Sequence, residues 1–154
     1  MVRLGIGLYG VESTEEAKKN LMLAGTWKTK ISQIKHLKIG DSVGYSKSHI
    51  VDKKTVIATV PVGYADGFSR RLSKGAGVMY IKNCPVQVIG NVCMDMCMLD
   101  ITEVYKLETI NEGDEVIIFD SAETLVKLSE KLETIPYEVL TSVSPRVKRV
   151  YTTE

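Results

Sequence analysis

Residues 77–102 read GVMYIKNCPVQVIGNVCMDMCMLDIT, and this stretch decides the fold. Apolar and polar residues alternate along it, which is typical of strands that bury one face. The sequence KNCP at 82–85 interrupts the alternation and predicts a turn, so the stretch is expected to hold two or three strands. The segment CMDMC resumes the alternation and is expected to send Cys93 and Cys97 to the same face of a strand.

Further strands are expected before this stretch. Residues 24–45, AGTWKTKISQIKHLKIGDSVGY, alternate with a phase slip near Ile34, which predicts a long, half-exposed antiparallel strand with a bulge and then a turn at 37–41. Residues 53–64, KKTVIATVPVGY, predict a second strand that ends near Pro61.

One more turn and strand are expected at 111–120, NEGDEVIIFD. The unit over about 24–119 is therefore predicted to be mainly β, as a curled sheet or β-barrel.

The C-terminal part changes to a helical period. Within DSAETLVKLSEKLETIPYEVL at 120–140, three leucines share one helical face, and Asp120 and Glu123 stand at the spacing of a capping box. Pro136 is expected to open a second short helix at its first position. Residues 146–151, RVKRVY, are expected to return to a strand.

The N-terminal segment 1–10, MVRLGIGLYG, is predicted to be a buried strand of the parallel kind. Arg3 inside such a strand is costly unless it is paired or meets a ligand. Gly5 allows a close approach of the main chain, and successive free N–H groups there are able to hold a phosphate. Residues 11–22 are polar and predict a loop with at most one helical turn.

Composition excludes several classes of function. The chain has 154 residues, 44% of them hydrophobic and 25% charged. Its net charge of +1 is too small to attract nucleic acid or an anionic membrane electrostatically. No apolar run approaches the roughly 20 residues of a spanning helix, and the start does not resemble a signal peptide. Three cysteines, an odd number, favour a reducing cytoplasm. With only two histidines and no clustered ligands, a zinc site is not expected.

The tripeptide VGY occurs twice, at 43–45 and at 62–64. After the second copy, Asp66 lies between glycines and is able to bond the main chain of a turn. One interpretation is a hairpin corner with a packed tyrosine; the other is a loop that presents Tyr64 and an arginine to a ligand. The arginine pair at 70–71 either holds an anion or is solvated at the surface.

The segment 91–100, NVCMDMCMLD, also leaves two interpretations open. Either its three methionines form core and Asp95 is hydrogen-bonded at a rim, or the Asp95 end lines a polar pocket. Asp95 and Asp100 both need partners if they are buried.

Taken together, the chain resembles the C-terminal part of a pyridoxal 5'-phosphate (PLP)-dependent alanine racemase of fold type III. The resemblance extends over essentially the whole chain. Its motifs are VRLGIGLYG, GDSVGYSKSH, PVGYADGFSRR, VIGNVCMDMCMLDI, GDEVIIF and IPYEVLTSVSPRVKRVY, in the order and spacing of the family.

The resemblance implies the domain organisation. Residues 1–10 would be the last strand of an N-terminal α/β barrel that carries the cofactor, and 11–154 would be the alanine racemase C-terminal β domain with one or two short helices near its end. Members of the family form head-to-tail homodimers in which the β domain of one subunit completes the active site of the other.

The resemblance also implies roles for the two tyrosines and for Met94. Tyr45 matches the catalytic tyrosine, the acid/base on one face of the amino-acid substrate, and Tyr64 matches a tyrosine that narrows the entrance to the site. Met94 matches a residue whose backbone N–H meets the substrate carboxylate.

Three N-terminal residues match cofactor contacts. Arg3 matches the arginine that donates to the pyridine nitrogen of PLP, and Gly5 and Ile6 match positions whose N–H groups contact the phosphate. Some relatives have a phosphate-contacting tyrosine where this chain has Pro145, so another residue would have to replace that contact.

The family function implied is interconversion of L- and D-alanine in the cytoplasm for cell-wall peptidoglycan. The cofactor lysine of the family has no counterpart here, so the isolated chain is expected to be inactive. Two alternatives are a racemase for serine or lysine and a non-catalytic dimerisation or binding module of the same fold.

Overall fold

The computed structural model describes residues 1, 5–11 and 21–152. Nine strands are found within these ranges: β1 (Trp27–Lys30), β2 (Gln33–Leu37), β3 (Ser42–Val43), β4 (His49–Ile50), β5 (Thr55–Val60), β6 (Val78–Ile81), β7 (Cys84–Ile89), β8 (Cys97–Asp100) and β9 (Glu115–Phe119). Three α-helices follow or interrupt them: α1 (Thr102–Leu107), α2 (Ala122–Lys131) and α3 (Pro136–Ser142). The prediction of a mainly β fold is confirmed.

Seven strands form one antiparallel sheet in the order β1-β9-β6-β7-β8-β5-β2. Its two edge strands, β1 and β2, are separated in the chain by only Ile31 and Ser32. The Ile31 N–H donates to the Asp114 carbonyl at 2.9 Å and the Ser32 N–H donates to the Thr59 carbonyl at 2.9 Å. Because the same segment pairs with both ends of the sheet, the sheet curls into a half-barrel, as the alternating pattern predicted.

The concave face of this sheet holds the main core. Trp27 packs edge-on against Phe68 and Phe119, with ring centroids 6.3 and 6.0 Å apart. The helix α2 covers the core with Leu125 and Leu128, both buried. The helical face predicted from the leucine spacing is therefore confirmed.

The single strand predicted over 24–45 is divided into β1, β2 and β3. The register shifts between Trp27 and Lys28, well before the phase slip predicted near Ile34, and the larger break is at Ile31, which is 2% exposed. That residue turns into the core where the chain passes from one edge of the sheet to the other, so a continuous strand is impossible.

The strand predicted through 91–100 begins only at Cys97. Residues 90–96 form a loop that starts at Gly90, with φ +72°, and closes with a 2.9 Å bond from the Cys93 N–H to the Met96 carbonyl. Cys97 is fully buried whereas Cys93 is half-buried, so the prediction that they share a strand face is wrong.

The C-terminal region differs from prediction in two details. Ser121, not Asp120, caps α2, and its hydroxyl accepts from the Thr124 N–H at 3.2 Å. Pro136 opens α3 at its first turn, as predicted. No strand forms over the described part of 146–151, where Arg149 instead donates to main-chain carbonyls of its own segment. The helix α1 was not predicted.

The N-terminal prediction is tested only in part. Residues Ile6–Tyr9 form a 3-10 helix instead of a strand, closed by Gly10 at φ +79°. Arg3 and most of the loop predicted over 11–22 lie outside the described residues.

Candidate functional site

The two VGY motifs share one pattern of burial. Their valines, Val43 and Val62, are each 3% exposed, whereas Tyr45 is 76% exposed and Tyr64 is 41% exposed. Each motif therefore anchors a valine in the protein and projects a tyrosine from it. A buried position for either tyrosine, the packed hairpin corner, is excluded by these exposures.

Gly63 of the second motif lies directly on the loop 90–96. A β-carbon at this position would be 2.3 Å from the carbonyl oxygens of both Cys93 and Met94. This close approach lets the Tyr64 N–H donate to the Cys93 carbonyl and the Ala65 N–H donate to the Met94 carbonyl, each at 3.0 Å. Glycine is needed here because any side chain would separate the two segments.

Gly44 of the first motif approaches the beginning of the same loop. Its φ of +77° lies in the left-handed region, and a β-carbon would be 3.3 Å from the Asn91 nitrogen and 3.2 Å from the Ser48 hydroxyl. Tyr45 then begins a 3-10 turn, Tyr45–Lys47. Both tyrosines thus leave turns whose glycines pack against one loop, which explains why the tripeptide is repeated.

A small hairpin carries Tyr45. Strands β3 and β4 pair antiparallel, with Val43 opposite His49. A second apolar cluster, separate from the main core, fixes the hairpin on the convex face of the sheet; its buried members are Val43, Val51, Ile57, Ile89 and Met98. The tyrosine is therefore mounted on a packed element.

Asp66 and Asp95 are joined through Arg146. The Arg146 Nε donates to the Asp66 carboxylate at 2.6 Å and its terminal nitrogen donates to Asp95 at 2.5 Å. The second Asp66 oxygen accepts from the Gly63 N–H at 2.8 Å, the turn bond predicted for this aspartate. The hydrogen bond to Asp95 and, to a smaller extent, the hydrogen bond to Asp66 raise the pKa of Arg146 above its ordinary value.

Both aspartates of 91–100 have partners. Asp95 is exposed beside Arg146, and Asp100 accepts from the main-chain N–H and the hydroxyl of Thr102 at 2.9 and 2.5 Å. Met94 and Met96 are 53% and 46% exposed, so the interpretation in which all three methionines form core is wrong. Only Met98 is buried.

The main chain of Met94 is hydrogen-bonded on one side only within the described part of the chain. Its carbonyl accepts from Ala65, but among the described residues its own N–H donates no hydrogen bond. The side chain is exposed on the loop that both tyrosine turns touch. Tyr45, Tyr64 and Met94 are therefore brought to one loop by the fold.

Tyr137, which the sequence prediction did not single out, lies beside Gly5. A β-carbon on Gly5 would be 2.9 Å from the Tyr137 hydroxyl, so this phenol of α3 lies against the main chain of Gly5. Within the described residues the Ile6 N–H finds no acceptor. The sequence analysis left the residue that replaces the contact at Pro145 unassigned; Pro145 is exposed and has no hydroxyl. The spacing of Tyr137 in IPYE gave no signal for this position.

The arginine pair is not one site. Arg71 forms an ion pair with Glu133, while Arg70 is exposed and forms no ion pair within the described residues.

Among 1, 5–11 and 21–152 no group of three or more histidine, cysteine or acidic side chains is placed to hold a metal ion. No helix within those ranges is both long and apolar enough to span a bilayer.

Comparison with known proteins places this arrangement in a family. The family model for alanine racemase, C-terminal domain, matches residues 24–151. Alanine racemase 1 of Caldanaerobacter subterraneus subsp. tengcongensis is 40% identical over 98% of this chain, and alanine racemase of Clostridium perfringens strain ATCC 13124 is 44% identical over 97%. The chain covers 39% and 40% of these two proteins, so it spans about two fifths of the curated relatives' length.

Solved structures of alanine racemases are also similar to this chain. Alanine racemase from Clostridium difficile 630 superposes with a TM-score of 0.87 at 41% identity, over 99% of this chain and 40% of the other. Alanine racemase from Bartonella henselae with covalently bound pyridoxal phosphate gives a TM-score of 0.85 at 32% identity, over 96% and 40%. The chain therefore belongs to the alanine racemase family, through that family's C-terminal domain.

Proposed function

We propose that the intact protein containing this chain is a PLP-dependent alanine racemase and that Tyr45 is its acid/base on one face of the substrate. The observation that carries this proposal is the 76% exposure of a tyrosine mounted on a hairpin whose Val43 is 3% exposed. A phenol held outward in this way is suited to reach a reacting carbon supplied by another domain or subunit. The alanine racemase names of the relatives support the choice of reaction.

The residues described around Gly5 fit the phosphate of PLP. The Ile6 N–H, which has no acceptor among the described residues, and the Tyr137 hydroxyl provide two donors beside the main chain of Gly5, where no β-carbon blocks the approach. We infer that Tyr137 replaces the contact that Pro145 cannot make. Arg3, whose structure is not described, is proposed to donate to the pyridine nitrogen, as the resemblance implies.

When bound, PLP makes the Cα hydrogen of the amino acid acidic by withdrawing electrons. Tyr45 would then accept that proton at its phenolic oxygen from one face and return a proton there in the reverse direction. A group outside this chain, the cofactor lysine of the family, would serve the opposite face. Racemisation needs both groups because the hydrogen leaves one face and returns to the other.

Met94 and Tyr64 are proposed to bind and admit the substrate. The Met94 N–H, which donates no hydrogen bond among the described residues, is suited to the carboxylate of an amino acid, since a main-chain donor recognises that group without selecting a side chain. Tyr64 is held beside it by the 3.0 Å bond to Cys93 and would narrow the entrance. A narrow entrance favours a substrate as small as alanine.

The assembly is proposed to be a head-to-tail homodimer in the cytoplasm, supplying D-alanine for the cell wall. The exposed tyrosine supports this arrangement, because a site completed across a subunit boundary needs its contributing side chain outside the domain core. We expect the isolated 154-residue chain to show no turnover, because we propose that the lysine that binds the cofactor covalently lies outside it.

One experiment tests the activity. The full-length protein, with PLP, is incubated separately with L-alanine, L-serine and L-lysine, and the D-enantiomer is quantified. We expect alanine to be converted with the highest kcat/KM. A higher kcat/KM for serine or lysine would identify a racemase of another substrate, and no conversion of any of them would favour a non-catalytic module. Turnover by the isolated chain would overturn the proposed dependence on the missing domain.

A further inference from the structure

We propose that Arg146 is a positioning residue that holds the Tyr64 turn and the Met94 loop in a fixed relation; the functional part of this inference rests on the proposed function. The guanidinium bridges two carboxylates from segments far apart in the chain. Asp66 belongs to the turn that starts with Tyr64, and Asp95 follows Met94 directly. Arg146 itself is 80 and 51 residues away from them.

The geometry makes the bridge specific to arginine. Arg146 donates from Nε to Asp66 and from a terminal nitrogen to Asp95, so the two acceptors use different edges of one planar group. A lysine has a single ammonium on a flexible stem and cannot present that fork. Asp66 is only 8% exposed, which makes its charge costly without a cation.

The bridged segments meet through two main-chain bonds. These are the 3.0 Å bonds from Tyr64 to Cys93 and from Ala65 to Met94. Among the described residues no other main-chain hydrogen bond joins the two segments, so we expect the side-chain bridge from Arg146 to limit their opening. Loss of Arg146 would let the Met94 N–H move relative to Tyr64, while the sheet beneath is unaffected.

The C-terminal segment is itself anchored to the same turn, which places Arg146 reliably. The Ser144 N–H donates to the Asp66 carbonyl at 2.9 Å, and Gly67 is so close to Ser142 that a β-carbon would be 2.3 Å from the Ser142 carbonyl oxygen. The segment 142–146 is thus attached to the Tyr64 turn by main-chain contacts that do not depend on the Arg146 side chain.

The test compares Arg146→Gln with Lys148→Gln in the full-length protein. Lys148 is exposed in the same segment and makes no hydrogen bond among the described residues, so its substitution is the matched loss of one charge. Amide hydrogen exchange is expected to become at least tenfold faster at Tyr64 and Ala65 in Arg146→Gln, with the sheet amide of Leu99 unchanged. Equal acceleration at Leu99 would mean a general loss of stability, and no acceleration at Tyr64 and Ala65 would overturn the proposal.

Kinetics provide the second readout. Arg146→Gln is expected to raise KM for alanine about tenfold with kcat within about threefold of the wild type, because carboxylate binding is weakened before and during the reaction alike. Adding Asp95→Asn to Arg146→Gln should raise KM no further, since Arg146→Gln has already removed the contact between Arg146 and Asp95. An unchanged KM would refute the functional role. If the wild-type protein does not racemise alanine, the proposed function fails, whereas the exchange result still decides whether Arg146 joins the two segments.

Discussion

Gly63 lies against Met94 so closely that a β-carbon would be 2.3 Å from the Met94 carbonyl oxygen. This contact joins the turn that carries Tyr64 to the loop that carries the Met94 N–H. The first VGY motif repeats the arrangement at Gly44, where a β-carbon would be 3.3 Å from the Asn91 nitrogen near the start of the loop. The loop 90–96 is therefore the common support of both projected tyrosines.

Gly63→Ala is expected to separate the turn from the loop. The added carbon would collide with two main-chain oxygens, which cannot withdraw as a flexible side chain could, so we expect the free energy of unfolding to fall by roughly 1–3 kcal/mol. Denaturant unfolding of both proteins measures this. Gly25→Ala is the control, because Gly25 has no atom within 4 Å of a β-carbon and should lose little. Equal stability of the two variants would contradict the close contact.

Tyr137→Phe is expected to weaken PLP binding in the full-length protein. The hydroxyl proposed to donate to the phosphate is removed, and a hydrogen bond to a charged group contributes about 1.5–3 kcal/mol, so the Kd for PLP should rise roughly 10- to 100-fold. Absorbance titration of the apoprotein with PLP gives that constant. Tyr151→Phe, at a side chain 91% exposed, should bind as the wild type does. An unchanged Kd in Tyr137→Phe would show that the phosphate is held by other groups.

Cys97 predicts a stability loss at alkaline pH. Burial, and secondarily the charge of Cys93, raises the pKa of Cys97 from 9.0 to about 12. Between these values the unfolded chain has lost this proton and the folded protein has kept it, so the free energy of unfolding falls as pH rises, by up to about 1.4 kcal/mol per pH unit from this thiol.

Urea unfolding at several pH values from 8 upward checks the slope. The slope should be smaller in Cys97→Ala, which lacks the titrating group, and should keep its wild-type value in Cys84→Ala, which retains Cys97. The same slope in all three proteins would mean that this thiol ionises alike in both states. Below the pKa of the unfolded state, the Cys97 thiol is protonated in both the folded and the unfolded protein. The three proteins should therefore show the same dependence of the free energy of unfolding on pH near pH 7.

The sequence was sufficient for the strands whose side chains alternate and for the helix with a leucine face. It failed where a tertiary contact overrides the local pattern. Ile31 interrupts an alternating segment because the chain passes there from one edge of the sheet to the other. Residues 91–96 alternate yet form a loop because the carbonyls of Cys93 and Met94 accept from the Tyr64 turn. Ser121 caps the helix instead of Asp120 because the helix begins one residue later than predicted. The spacing of residues alone does not fix a helix boundary to one residue.

The candidate site was predictable only as a set of residue types. The repeated VGY indicated two similar positions, but only the fold brings both glycines onto one loop. Arg146 and Tyr137 gave no signal by spacing, since their partners are Asp66 and Gly5, which are far away in the chain. Contacts of this kind follow from the sheet order and from the path of the C-terminal segment.

Exchange of the alanine Cα hydrogen with solvent tests the role of Tyr45 most directly. The full-length Tyr45→Phe protein, loaded with PLP, is incubated in D2O with L-alanine and separately with D-alanine, and deuterium at Cα is measured. Tyr105→Phe, a substitution in α1 beside His36, is the control and should behave as the wild type. Loss of the Tyr45 hydroxyl removes acid/base action on one face, an effect of about 10²- to 10⁴-fold. We therefore predict that one enantiomer loses exchange by that factor while the other continues to exchange; wild-type exchange of both enantiomers would contradict the account.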